Sequence, residues 1–140
     1  MATLRLKIFT AEREVYEANV DQVTIPSGEG EITVLANHIP LVSTIATGEI
    51  RAKHNGVVTP FAVSGGIIEV KEGSEVVILA QYSDSPDEID VEAEQKAYER
   101  AKEAMSRKAS QLDVDFAKFE LEMRRAMNNI KVARKWYEEN

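Results

Sequence analysis

Ser83-Asp84-Ser85-Pro86-Asp87-Glu88 separates two kinds of sequence within a chain of 140 residues. The hexapeptide is polar and broken by a proline, the composition of a linker. Before it, short apolar runs alternate with glycine-containing turns; beyond Pro86 there is no glycine and no proline. Charge changes at nearly the same place. Residues 1–90 carry 14 acidic and 6 basic side chains, a net of −8, whereas residues 91–140 carry 10 and 11, a net of +1. A coincident change in breakers, periodicity and charge predicts two structural units: a β-sandwich domain over 1–84, a linker over 85–90 and a two-helix arm over 91–140.

On the N-terminal side the period is two. Leu4, Leu6 and Ile8 face one way and Arg5 and Lys7 the other, as on a strand with one buried face. Further β-rich runs span 20–25, 32–35, 49–53, 57–63, 67–71 and 75–81. The turns between them include Pro26-Ser27-Gly28, Ala36-Asn37-His38, His54-Asn55-Gly56, Ser64-Gly65-Gly66 and Glu72-Gly73. Asn-Gly tolerates the positive φ of a tight hairpin. About eight to ten short strands at this spacing predict a small antiparallel sandwich or barrel. Pro60 would remove a ladder donor, which predicts an edge or a bulge there.

On the C-terminal side the period is helical. Asp90 is placed to cap a first helix, with Glu92 in its first turn, running to about Arg107. Its apolar face is narrow: Ala93, Ala97, Ala101 and Ala104 with Val91, Tyr98 and Met105. Ser110-Gln111-Leu112-Asp113 breaks the run, and Asp113 or Asp115 can cap a second helix. There Phe116, Phe119, Met123, Met127, Ile130, Ala133 and Tyr137 recur at spacings of three and four, predicting a buried stripe. Arg124, Arg125, Lys131, Arg134 and Lys135 lie between Met123 and Tyr137 with no acidic residue among them. They fit either a solvated face or a surface for an acidic partner. Each large side chain of the stripe contributes about 1.5–3 kcal/mol when buried. Ordering the backbone costs about 1–2 kcal/mol per residue. So thin a layer is expected to be held by a small margin, open to displacement by a partner.

Composition narrows the chemistry. A hydrophobic fraction of 44% with 29% charged residues is that of a soluble globular protein. No apolar run approaches the roughly 20 residues that span a bilayer. Met-Ala-Thr-Leu-Arg-Leu-Lys has no continuous apolar core of a signal peptide, so the chain is expected to stay where it is made. Without cysteine there is no disulfide, thiolate metal site or cysteine nucleophile. A net charge of −7 disfavours nucleic acid and anionic membrane surfaces. His38 and His54 are the only histidines, and His54 beside Asn55-Gly56 reads as a turn residue. Ser64 has no Gly-x-Ser-x-Gly elbow, Gly28-Glu29-Gly30 precedes no helix, and no Walker-type phosphate loop is present. No catalytic centre and no metal site are expected.

Four segments, in order, resemble one family. They are Gly28 to Leu41 (Gly-Glu, a short strand, then His-x-Pro-Leu), Gly48-Glu49-Ile50-Arg51, Val63-Ser64-Gly65-Gly66-Ile67-Ile68-Glu69-Val70, and Val76-Val77-Ile78-Leu79-Ala80. With the helical tail they resemble the epsilon subunits of bacterial F-type ATP synthases over essentially the whole chain. The resemblance implies a regulatory and coupling subunit, not an enzyme. It implies a peripheral protein at the cytoplasmic face of the plasma membrane, bound to the gamma subunit and standing on the ring of c subunits. Glu31 and His38 take the positions near that ring; the plainer alternatives are a solvated turn carboxylate and a capping histidine. The arm would alternate between a folded hairpin and an extended form that reaches the alpha and beta subunits and blocks ATP hydrolysis. Arg124, Arg125, Lys131, Arg134 and Lys135 would then face an acidic segment of beta.

Some bacterial members bind ATP through Ile/Leu-Asp-x-x-Arg-Ala at the start of the first helix. Ile89 and Asp90 match that motif, and Arg100 matches a further basic position. Ala93 replaces the motif arginine and Glu94 its alanine, which weakens the case for a polyphosphate. No cofactor is required, and ATP enters as a regulatory ligand at most; Asp90 is equally a helix cap. Two alternatives from other classes are a stand-alone ATP sensor whose arm folds on nucleotide and a small carboxylate enzyme. No residue constellation encourages the second.

Overall fold

A computed structural model describes residues 2–107 and 113–139. Eight strands come first: β1 (Leu4–Phe9), β2 (Glu14–Val20), β3 (Gln22–Ser27), β4 (Gly30–Leu35), β5 (Leu41–Thr44), β6 (Gly48–His54), β7 (Val57–Lys71) and β8 (Glu75–Asp84). A 3-10 turn, Pro86–Glu88, leads into α1 (Val91–Arg107), and α2 is described over Asp113–Glu139. The chain divides into two compact units, Met1–Asp84 and Ser85–Asn140.

In the first unit the strands pair in the order β2-β1-β8-β7-β6-β3-β4, with β5 against β7. The alternation of β1 is realised: Leu4, Leu6 and Ile8 are buried, and Arg5 and Lys7 are half-buried on the other side. They join Val20, Val23, Ile25, Val34, Ile50, Phe61, Ile68, Val76 and Ile78 in one core. Tyr16 and Phe61 add a tilted aromatic pair with centroids 4.9 Å apart. All pairs are antiparallel except β1 with β8, which run parallel. No hairpin ties those two strands, so neither register nor direction is set by a local turn.

The strands differ from the sequence reading in several places: β5 and most of β2 lie outside the runs named there, and β8 runs on through Ser83-Asp84. The run over 20–25 is divided at Asp21 between β2 and β3. Ser64-Gly65-Gly66 does not end a strand but lies inside the fifteen residues of β7. Gly65 and Gly66 have φ of 73° and 135°. At this point β7 passes from its pairing with β6 (57–63) to a place between β5 and β8. A Cβ on Gly66 would stand 2.3 Å from the Leu79 carbonyl oxygen, so glycine is what lets β7 and β8 approach. Pro60 pairs with Arg51 of β6 two residues before β8 joins at Ala62, so its missing donor falls where β7 has one neighbour.

In the second unit Pro86 opens the 3-10 turn. The Ser85 amide donates to Glu88 Oε1 at 3.2 Å, and the Glu88 amide donates to the Ser85 carbonyl at 2.9 Å. The turn lies against α2. Asp90 caps α1: its Oδ1 accepts from the Ala93 amide at 3.1 Å. Of the break assigned to Ser110-Gln111-Leu112-Asp113, the first three residues fall outside the described residues and Asp113 belongs to α2. On α1 Ala101 is buried and Ala97, Tyr98, Ala104 and Met105 are half-buried, while Ala93 is exposed.

The stripe on α2 needs correcting. Phe119, Met123 and Ile130 are half-buried and Ala133 is fully buried, but Phe116, Met127 and Tyr137 are exposed. The buried positions are Ala126, Asn129, Val132 and Ala133. Burial follows small residues, which let a neighbouring backbone approach, rather than the large ones that dominate the periodicity. Tyr137 has a further reason. Asn129 bonds Glu94 of α1. Tyr137 therefore lies about 12 Å further along α2, whereas α1 starts only about 4.5 Å before Glu94.

Candidate protein-docking surfaces

The side of the sheet opposite the core carries two rows of residues aligned by strand register. Thr44, Ile67, Leu79 and Phe9 form one row across β5, β7, β8 and β1. Val42, Glu69, Val77 and Lys7 form the next. These positions alternate with the buried Ile68, Ile78 and Ile8, so their side chains point away from the core. Ile67 is 50% exposed, Leu79 56% and Val42 68%. Phe9 and Val77 are half-buried. Lys7 pairs with Glu75 at 3.6 Å beside the patch. Five apolar side chains in register on an outer face, with Glu69 set among them and Lys7 at the border, are the anatomy of a protein contact. The motif reading missed this face, although the signal was present. Ile67-Ile68 and Val76-Val77-Ile78-Leu79 are continuous apolar runs, the pattern of strands covered on both sides.

Glu31 and His38 are not brought together. Glu31 begins β4 opposite Pro26, and His38 lies three residues past its end. The strand alone separates Glu31 from Leu35 by about 13 Å. Glu31 binds the Arg51 guanidinium at 2.9 Å, and Glu49 binds the same group at 3.3 Å. Burial pulls the Arg51 pKa down, but the two carboxylates outweigh it and hold the group above its ordinary value. His38 sits in the loop after β4, where its amide donates to the Leu35 carbonyl at 3.2 Å. Its Nδ1 donates to the Ile39 carbonyl at 2.7 Å. The loop is pinned to the β7–β8 turn by the Asn37 amide, which donates to Ser74 Oγ at 2.8 Å. It presents Ile39, 75% exposed.

The basic residues of α2 do not share one face. Lys131, Arg134 and Lys135 are exposed and, with Arg100, Tyr98 and Ile130, line a groove of about 1280 Å³ between α1 and α2. Arg124 is exposed and pairs with Glu120 at 3.3 Å, while Arg125 is half-buried. Of the residues matched to a nucleotide motif, Ile89 is buried, Asp90 is engaged as the helix cap and Arg100 faces the groove. Asp90→Ala is expected to cost about 1 kcal/mol of arm stability. Urea unfolding followed by the helical circular-dichroism signal checks this; an unchanged midpoint contradicts the capping role.

Among the described residues no helix is long and apolar enough to cross a membrane, and no group of three or more histidine or acidic side chains could hold a metal. Residues 3–83 match the family model of the ATP synthase delta/epsilon chain β-sandwich domain. Residues 87–134 match that of its long α-helix domain. The ATP synthase epsilon chain of Halalkalibacterium halodurans is 41% identical over 95% of this chain and 98% of its own length. That of Bacillus pumilus is 36% identical over 96% and 100%. A chain in the cryo-EM structure of the Euglena gracilis mitochondrial ATP synthase (OSCP/F1/c-ring, rotational state 1) has the same fold. Its TM-score is 0.75 at 24% identity, covering 98% of this chain and 82% of that one. The chain therefore belongs to the ATP synthase delta/epsilon family, as an epsilon subunit of an F-type ATP synthase.

Proposed function

We propose that this epsilon subunit has no catalysis of its own. It docks on the gamma subunit of the central stalk through the outer apolar face of its sheet, and its helical arm restrains ATP hydrolysis. The observation that carries the docking is the aligned patch of Ile67, Leu79, Phe9, Val77 and Val42. A free surface of this kind is better explained by a permanent protein neighbour than by a substrate. The charged Glu31–Arg51–Glu49 cluster and the pinned His38–Ile39 loop are then available to the c-subunit ring at separate places. Held this way, the chain reaches the membrane only through its complex, at the cytoplasmic face. The test is co-purification with gamma from cells or from a reconstituted stalk; a chain that emerges alone contradicts the proposal.

For the arm, we infer that Lys131, Arg134 and Lys135 make the contact with an acidic segment of a beta subunit, near alpha. Their exposure supports this, and opposed charge supplies association rate and specificity. Arg125, half-buried, and Arg124, paired to Glu120, are the lesser contributors. Neutralising all five to glutamine is expected to relieve most of the inhibition of ATP hydrolysis in the assembled complex at low salt. Restoring only Lys131, Arg134 and Lys135 should bring most of it back. Inhibition unchanged by the fivefold variant means that these residues merely solvate the helix. Nucleotide enters as a weak regulatory ligand at most, because Ala93 stands where the motif has its arginine and Asp90 is already engaged by α1.

A further inference from the structure

The two helices of the arm are joined by a polar bridge set among alanines. Asn129 of α2 is 4% exposed, and its Nδ2 donates to Glu94 Oε1 of α1 at 3.2 Å. Glu94 is half-buried one turn into α1, and its amide donates to the carbonyl of the capping Asp90 at 3.0 Å. The alanines buried along the two helices are Ala101 on α1 and Ala126 and Ala133 on α2, with the larger Tyr98, Ile130 and Val132 beside them. Alanine contacts by themselves do not fix a register. A buried amide bound to a carboxylate does. Moving one helix by a turn, about 5.4 Å, strands the amide away from its acceptor. Hydrogen bonds to a charged group are also the stronger kind.

We propose that the Glu94–Asn129 bond is an internal clasp. It selects the register in which α1 and α2 close and holds the hairpin shut with no ligand present, so that this chain sets its own ratio of open to closed arm. The proposal rests on the reading that the arm opens, and it goes beyond that reading by naming what resists opening.

Because the chain has no cysteine, spin labels can be placed on cysteines introduced at the exposed Glu103 and Glu122 of the full-length protein. Pulsed EPR distances then give the open-to-closed ratio. Glu94→Ala and Asn129→Ala are each expected to raise that ratio about tenfold. The double variant should do little more than either single one, since both remove the same bond. Glu94→Gln keeps an acceptor and should retain most of the closure. Single effects that multiply in the double variant, or a ratio that none of the changes moves while opening is seen, overturn the clasp. Should every chain show the closed distance alone, the same cycle is read from urea unfolding of the helical signal. Coupling there upholds the clasp and contradicts the opening arm instead; its absence overturns the clasp.

Discussion

Gly66→Ala is expected to leave the N-terminal unit unfolded, or destabilised by more than about 3 kcal/mol. Two independent costs meet at this position. Its φ of 135° lies where a side chain is strained in any surroundings. An added Cβ would also meet backbone, standing 2.3 Å from the Leu79 oxygen and 2.8 Å from the Ala80 Cα. Neither atom can swing aside, because both belong to the β7–β8 ladder. Gly56→Ala is the control. It too has a positive φ, 79°, but nothing lies within 4 Å of its Cβ position, and it should lose only about 1–2 kcal/mol. Urea unfolding of the two variants separates the terms. A Gly66→Ala chain as stable as Gly56→Ala means that β7 and β8 do not approach as described.

The second large effect concerns assembly. Ile67→Lys with Leu79→Lys should leave the free chain folded, because half or more of each side chain is already in water. The same pair should lower affinity for the stalk about a hundredfold or more. Each apolar group forfeits the burial of its exposed half, about 1 kcal/mol, and each new ammonium must in addition be desolvated. Lys7→Gln, at the end of the neighbouring row and so at the border of the patch, should matter much less. Binding of purified variants to an epsilon-depleted complex reads the difference. Equal loss for Lys7→Gln and for the apolar pair points to a charged contact rather than an apolar one.

Much of this architecture is legible in the residues. Leu4, Leu6 and Ile8 announce a strand with one buried face, and the absence of glycine and proline after Pro86 announces the helices. Asp90 is readable as a cap because its side chain needs only the local geometry of the next three residues. What is not legible depends on distant partners. The parallel pairing of β1 with β8 joins the first strand to the last. The packing of β5 against β7 is equally remote. The stripe on α2 misleads for a physical reason: large apolar residues dominate a periodicity, yet closely approaching helices bury small ones, here Ala126 and Ala133. Glu31 and His38 lie close in sequence, yet an extended strand carries them to opposite ends of β4. The outer apolar face is hidden by the opposite effect. Its residues are interleaved with core residues, so each run looks like ordinary β core until the register shows which side every residue takes.

Hydroxyl-radical footprinting of the full chain, free and within the assembled ATP synthase, tests the docking face most directly. Oxidation of Phe9, Val42, Ile67 and Leu79 is expected to fall sharply on assembly, while Leu35, 54% exposed on β4, changes less. Equal labelling of Ile67 and Leu79 in the two states would contradict the account.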